Sequence, residues 1–122
     1  MKFDGDVTSL GARIFYDVSM LSSIVIPDSV QSIGAQAFAY TGITSVIIEA
    51  GVKSISEYAF YNCFNLEAVF CRATTPPTAG SVDVFYNNKY GRKFYVPTSC
   101  VEAYKKDSYW RYFADYIVGY DF

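Results

Sequence analysis

Histidine is absent from this 122-residue chain. That one gap removes Ser-His-Asp and Cys-His nucleophilic triads, histidine-bearing zinc sites and imidazole acid–base chemistry. Cysteine is scarce. The three residues Cys63, Cys71 and Cys100 cannot all pair within one chain, and none falls in a Cys-x-x-Cys spacing. Neither a disulfide framework nor a zinc site is indicated. Charged residues make up only 18% and the net charge is −2, so no bulk attraction to nucleic acid or to an anionic membrane is expected. No apolar run reaches the roughly 18–20 residues of a membrane span, so no membrane insertion is expected. The opening Met1-Lys2-Phe3-Asp4-Gly5-Asp6 lacks the apolar stretch of a signal peptide. There is no Gly-x-Ser-x-Gly elbow, phosphate-binding Gly-x-x-x-x-Gly-Lys or dinucleotide fingerprint. The expectation is a chain without catalytic residues, metal or cofactor.

What the chain does have is apolar and aromatic mass. Hydrophobic residues make up 52% and aromatic ones 19%, with ten Phe, twelve Tyr and one Trp. This excludes a disordered chain, collagen and a low-complexity linker. The length suits one domain with a sizeable core.

An internal repeat orders that mass. Ser29-Val30-Gln31-Ser32-Ile33-Gly34-Ala35-Gln36-Ala37-Phe38 recurs as Gly51-Val52-Lys53-Ser54-Ile55-Ser56-Glu57-Tyr58-Ala59-Phe60, an offset of 22 residues. Upstream, Asp6-Val7-Thr8-Ser9-Leu10-Gly11-Ala12-Arg13-Ile14-Phe15 keeps the same frame at an offset of 23. Each copy leads into an apolar triplet: Ile24-Val25-Ile26, Val46-Ile47-Ile48 and Val69-Phe70-Cys71. Met1-Lys2-Phe3 and Phe94-Tyr95-Val96 fit the same phase, which makes about five rungs. The rung from about 72 to 97 is irregular, because Thr74-Thr75-Pro76-Pro77-Thr78 and a loop around Asn87-Asn88 are inserted. Triplets of β-branched and aromatic residues predict short strands. Strands one repeat apart can stack in parallel, so that neighbouring rungs bury a core no single rung could. Three columns should line that core: Val7/Val30/Val52, Leu10/Ile33/Ile55 and Phe15/Phe38/Phe60.

The run Leu21-x-x-Ile24-x-Ile26-Pro27-x-Ser29-Val30-x-x-Ile33-Gly34-x-x-Ala37-Phe38 resembles the BspA-like leucine-rich repeat, a subclass found in bacterial and protist surface proteins. Residues 7–71 carry the likeness most clearly, and Cys63 sits where that family often has a cysteine. Tyr40-Thr41-Gly42 and Ala50-Gly51 depart from its pattern. The resemblance implies an α/β fold, a right-handed solenoid of short parallel strands over residues 1–97. It also implies a cell-surface or secreted protein that binds a host or bacterial surface protein, as adhesins do.

Residues 98–122 are expected to form a helical cap. Ser99-Cys100-Val101-Glu102 reads as a Ser-x-x-Glu capping box. Val101 and Tyr104 then share one helical face, and Trp110, Phe113 and Ile117 another. Lys105, Lys106 and Arg111 would form the polar outer side that a terminal rung needs. No such cover precedes Met1-Lys2-Phe3. The chain is therefore expected to be the end of a longer array, or to shield its first rung against another molecule.

Side chains able to do chemistry are few. Glu49, Glu57 and Glu67 lie in different phases of the repeat and read as solvated surface charges. Cys71 shares the inward position of Ile26 and Ile48, and Cys63 aligns with Thr41 in a turn. Cys100 falls in the first turn of the expected helix, where a thiol can be activated, but no base accompanies it. Residues 89–111 carry +4 (Lys89, Arg92, Lys93, Lys105, Lys106 and Arg111 against Glu102 and Asp107), whereas residues 1–88 carry −4. Tyr90, Tyr95, Tyr104 and Tyr109 interleave with the basic cluster, which reads as a solvated surface rather than a nucleic-acid site.

The sharpest feature lies in the triplets. Strand alternation points their outer residues inward, and must point Val25, Ile47, Phe70 and Tyr95 outward on one sheet face. Ser23, Ser45, Ala68 and Lys93 flank them on that face. Such a stripe fits a partner-binding surface. It equally fits plain β-propensity in a stacked ladder. The functional expectation is a non-catalytic protein-binding module. The alternatives are a spacer that forms a homo-oligomer through the same stripe or through its first rung, and an accessory segment of a larger enzyme.

Overall fold

The computed structural model describes residues 7–122. The Met1-Lys2-Phe3 triplet, expected as a first strand, lies outside them. The described strands are β1 (Ser9–Leu10), β2 (Ser23–Ile26), β3 (Ser32–Ile33), β4 (Ser45–Ile48), β5 (Ser54–Ile55), β6 (Ala68–Cys71), β7 (Thr78–Ala79), β8 (Lys93–Pro97) and β9 (Ile117–Tyr120). One α-helix, α1, spans Val101–Lys106. Five strands pair in parallel in the order β2-β4-β6-β8-β9. The two-residue strands form a second parallel sheet, β1-β3-β5-β7. The architecture is an α/β repeat solenoid with short strands and little helix. The narrow second sheet adds strands that the repeat pattern does not predict: there Leu10, Ile33 and Ile55 form only a core column.

Each rung has three sides. A long strand such as β4 buries every second residue: Val46 and Ile48 are enclosed while Ser45 and Ile47 are not. A short strand buries one residue, as Ile55 in β5. The third side is a tight turn, at residues 12–17, 35–40 and 57–62. Its backbone alternates between bonds inside the rung and bonds to the next. The amides of Arg13, Phe15 and Asp17 donate to the carbonyls of Ala35, Ala37 and Ala39 at 2.8–2.9 Å. The amides of Ile14, Tyr16 and Val18 donate three residues back. This pattern needs two left-handed residues per turn, which recur as Arg13/Asp17, Gln36/Tyr40 and Tyr58/Asn62. Left-handed backbone costs a bulky residue about 1–2 kcal/mol, so ladder bonds to the neighbouring rung must hold it there.

Phenylalanines fill the turn side. Phe15, Phe38, Phe60 and Phe85 stack face to face, with ring centroids 5.2–5.3 Å apart. The fourth ring extends the column past the irregular spacing. Thr41 Oγ1 and Cys63 Sγ lie 3.3 Å apart, and the thiol donates to the Phe38 carbonyl at 3.0 Å. The departure at Ala50-Gly51 also has a cause: a Cβ on Gly51 would overlap the Asp28 carbonyl of the preceding rung.

The C-terminal segment covers the last rung, but it is not helical throughout. Helix α1 is six residues long, a 3₁₀ stretch follows over Trp110–Tyr116, and β9 then joins the sheet. Ile117 thus belongs to a strand, buried opposite Phe94, not to a helical face. The Ser99–Glu102 capping box does not form: the N-cap of α1 is Cys100, with no side-chain cap bond. A preceding 3₁₀ turn, Thr98–Cys100, already leads the backbone into the helix. The capping carboxylate is Asp107, just after α1, which accepts from the amides of Tyr109 (2.9 Å) and Trp110 (3.1 Å) at the start of the 3₁₀ stretch. Trp110 and Tyr104 are fully buried, and each sends its polar tip to the inserted loop of the last rung. Trp110 Nε1 donates to the Pro77 carbonyl at 2.9 Å, and Tyr104 Oη to the Ala73 carbonyl at 2.7 Å.

Candidate interaction surface

The outer face of the five-stranded sheet is built by register. Val25 lies opposite Ile47, Ile47 opposite Phe70, Phe70 opposite Tyr95, and Tyr95 opposite Val118. Ser23, Ser45, Ala68 and Lys93 form a parallel row beside them. Val25 is exposed, and Ile47, Phe70 and Tyr95 are half-buried by their neighbours. The row is continuous because every strand contributes one outward apolar residue at the same position.

Three residues on this face were not singled out from the sequence: Val118, Tyr120 and Phe122. Tyr120 leans back over Phe70 and Tyr95, edge-on, at 5.3 and 5.8 Å. Phe70 and Tyr95 stack at 4.7 Å, and Phe122 packs on Tyr120 at 4.9 Å. Arg72 reaches Phe122 with its guanidinium 5.2 Å from the ring and meets Glu49 at 3.5 Å. Together Ile47, Phe70, Arg72, Tyr120, Asp121 and Phe122 line a shallow cleft of about 320 Å³. The available signal was weak. Ile117-Val118-Gly119-Tyr120 alternates as a strand does, but it carries no repeat motif.

Elsewhere, side chains able to do chemistry stay apart. Glu49 pairs with Arg72, Glu67 pairs with Lys89 at 3.0 Å, and both pairs are solvent-facing. No group of three or more His, Cys, Asp or Glu residues fit to hold a metal occurs among the described residues. All three cysteines are buried and unpaired. Burial pushes the thiols of Cys63 and Cys71 above the usual range, though hydrogen bonding from Thr41 and Tyr104 respectively opposes it. Cys71 Sγ lies 3.3 Å from the Tyr104 hydroxyl. No described helix is long and apolar enough to cross a membrane.

A stacked scaffold of parallel rungs with a laddered open face defines a repeat solenoid. The chain belongs to the BspA-type leucine-rich-repeat family, whose model matches residues 1–108 in six copies. That is one more copy than the rungs counted from the triplets. Repeats of this family are typically non-catalytic and mediate protein contacts. A search of curated proteins gave no match.

Proposed function

We propose that the chain is a protein-binding module of a bacterial surface or secreted protein, adhesin-like, which engages its partner through the outer face of the five-stranded sheet. The observation that carries this reading is the unbroken row Val25, Ile47, Phe70 and Tyr95, continued by Val118 and bordered by Ser23, Ser45, Ala68 and Lys93. Apolar rows of this extent on a surface mark contact sites more often than chance, and aromatic residues at their centre dominate contact energy. Residues 1–97 would form the array, and residues 98–122 its terminal cover. Surface localisation draws support from the family, whose members are generally found on bacterial surfaces.

The test is binding of the chain to an immobilised panel of extracellular-matrix and bacterial surface proteins. Ile47→Asp and Phe70→Asp should each weaken binding by about 30-fold or more, the size of a central hot-spot loss, with circular dichroism unchanged. Light scattering on the same samples separates the self-assembly reading. A dimer that both variants dissolve would favour a spacer that associates with itself.

A further inference from the structure

A second surface feature lies beside β8, away from the centre of the sheet face. Arg92 precedes the strand, and its guanidinium sits between two rings, 4.8 Å from Phe94 and 5.0 Å from Phe113. The side chain is half-buried, yet no carboxylate pairs with it among the described residues. Its Nε is enclosed and has no hydrogen-bond partner. A buried guanidinium ordinarily finds an acid, because its desolvation is otherwise uncompensated. Burial here lowers the proton affinity of Arg92, which the nearby Tyr109 and Tyr116 partly offset.

The guanidinium lines a hollow of about 330 Å³ that also includes Asn88, Lys89 and Tyr90 and contains no acidic residue. Lys89 is already committed to Glu67. Asn88 is fixed in orientation: its Nδ2 donates to the carbonyls of Phe60 (2.9 Å) and Cys63 (3.4 Å). Its Oδ1 is left without a partner. The hollow thus carries one cation without a carboxylate partner and, in Tyr90, an almost fully exposed ring at its edge; the Asn88 Oδ1 is enclosed and not offered to a ligand.

We propose that this hollow is a carboxylate-binding site that takes an Asp or Glu side chain of a partner protein. A planar carboxylate matches the guanidinium fork, and one cation suits one carboxylate. Nucleic acid fits less well, since tracking a phosphate backbone requires a string of free cations. An acidic sugar would need open ring faces for stacking. Of the rings at hand Tyr90 alone stands open, at the edge: Phe94 and Phe113 are taken by Arg92, Tyr86 by Tyr61 at 5.6 Å, and Tyr116 by Lys93 at 6.0 Å. This assignment is independent of the sheet-face reading.

The experiment is a ¹⁵N NMR titration of the intact chain that follows the Arg92 Nε–H and Asn88 side-chain amide signals. The probes are blocked glutamate (N-acetyl, N-methylamide), the equally blocked glutamine, galacturonate, and a short oligothymidylate, at matched ionic strength. Blocked glutamate should give saturable shifts centred on Arg92. The neutral glutamine analogue should bind at least about tenfold more weakly, the worth of one charge-assisted hydrogen bond. Arg92→Gln should lose the response to glutamate. If that variant does not fold, the glutamate–glutamine comparison on the natural chain still decides. Shifts that fail to saturate, or that are equal for glutamate and glutamine, overturn the proposal. Tighter binding of galacturonate or oligothymidylate overturns the assignment to a protein partner.

Discussion

Phe38 shows how one residue type, repeated, makes the core. It is fully buried and stacked between Phe15 and Phe60. Phe38→Ala should cost about 3–5 kcal/mol in a urea melt, as Phe truncations in packed cores do. A loss under about 1 kcal/mol, normal for surface sites, would contradict the inward column. This column was legible at Phe15, Phe38 and Phe60 because the residues recur at offsets of 23 and 22. Phe85 was not, since the inserted loop shifts it to an offset of 25 from Phe60. Stacking depends on distance in space, and the chain can absorb extra residues in a loop without disturbing it. The left-handed positions were hidden for a related reason. Arg13, Gln36 and Tyr58 carry none of the Gly or Asn signals that usually mark such backbone, because ladder bonds between rungs impose the conformation.

At the scale of elements, the repeat strands were readable and the C-terminal segment was only partly so. Local pattern gave the Ser-x-x-Glu sequence and a helical spacing from Trp110 to Ile117. Neither survives, because strand pairing with β8 is a nonlocal contact that no local period reports. The two candidate caps now separate cleanly. Ser99→Ala should change stability by less than about 0.5 kcal/mol, as at an uninvolved surface site. Asp107→Ala should cost about 1 kcal/mol, the usual loss on removing a capping side chain. Chemical denaturation of the two variants checks this, and a larger loss at Ser99 than at Asp107 would restore the capping box. The inserted Thr74-Thr75-Pro76-Pro77 loop also gains a role. It offers the Pro77 carbonyl to the tip of Trp110, and the adjoining Ala73 offers its own to Tyr104, which satisfies two polar groups that burial would otherwise penalise.

For the whole molecule, stability is approximately a sum of rung and nearest-neighbour terms, and its response to alkali follows from burial. Desolvation raises the pKa of Cys63, Cys71, Tyr104 and Tyr109. The folded chain therefore holds these protons after the unfolded chain releases them, at about pH 8.5 for thiols and about pH 10 for phenols. Their contribution is complete below pH 8 and falls as pH rises through that range. The urea midpoint should be lower at pH 10 than at pH 7; an equal or higher midpoint would contradict the buried, neutral state of these groups. The open face is also a property of the whole stack, since no single rung displays more than one or two of its residues. Val25, Ile47, Phe70 and Tyr95 were visible from strand alternation alone. The contribution of Val118, Tyr120 and Phe122 required the fold, which returns the chain end to the sheet. The most direct measurement of the central claim compares two aspartates on the same scaffold. Phe70→Asp lies on the sheet face, and Ile14→Asp replaces an exposed apolar side chain on the turn side, away from the Arg92 hollow. Against any panel protein that binds the natural chain, Phe70→Asp should weaken binding by about 30-fold or more and Ile14→Asp should preserve it. Equal affinity of Phe70→Asp and the natural chain would show that the partner binds elsewhere.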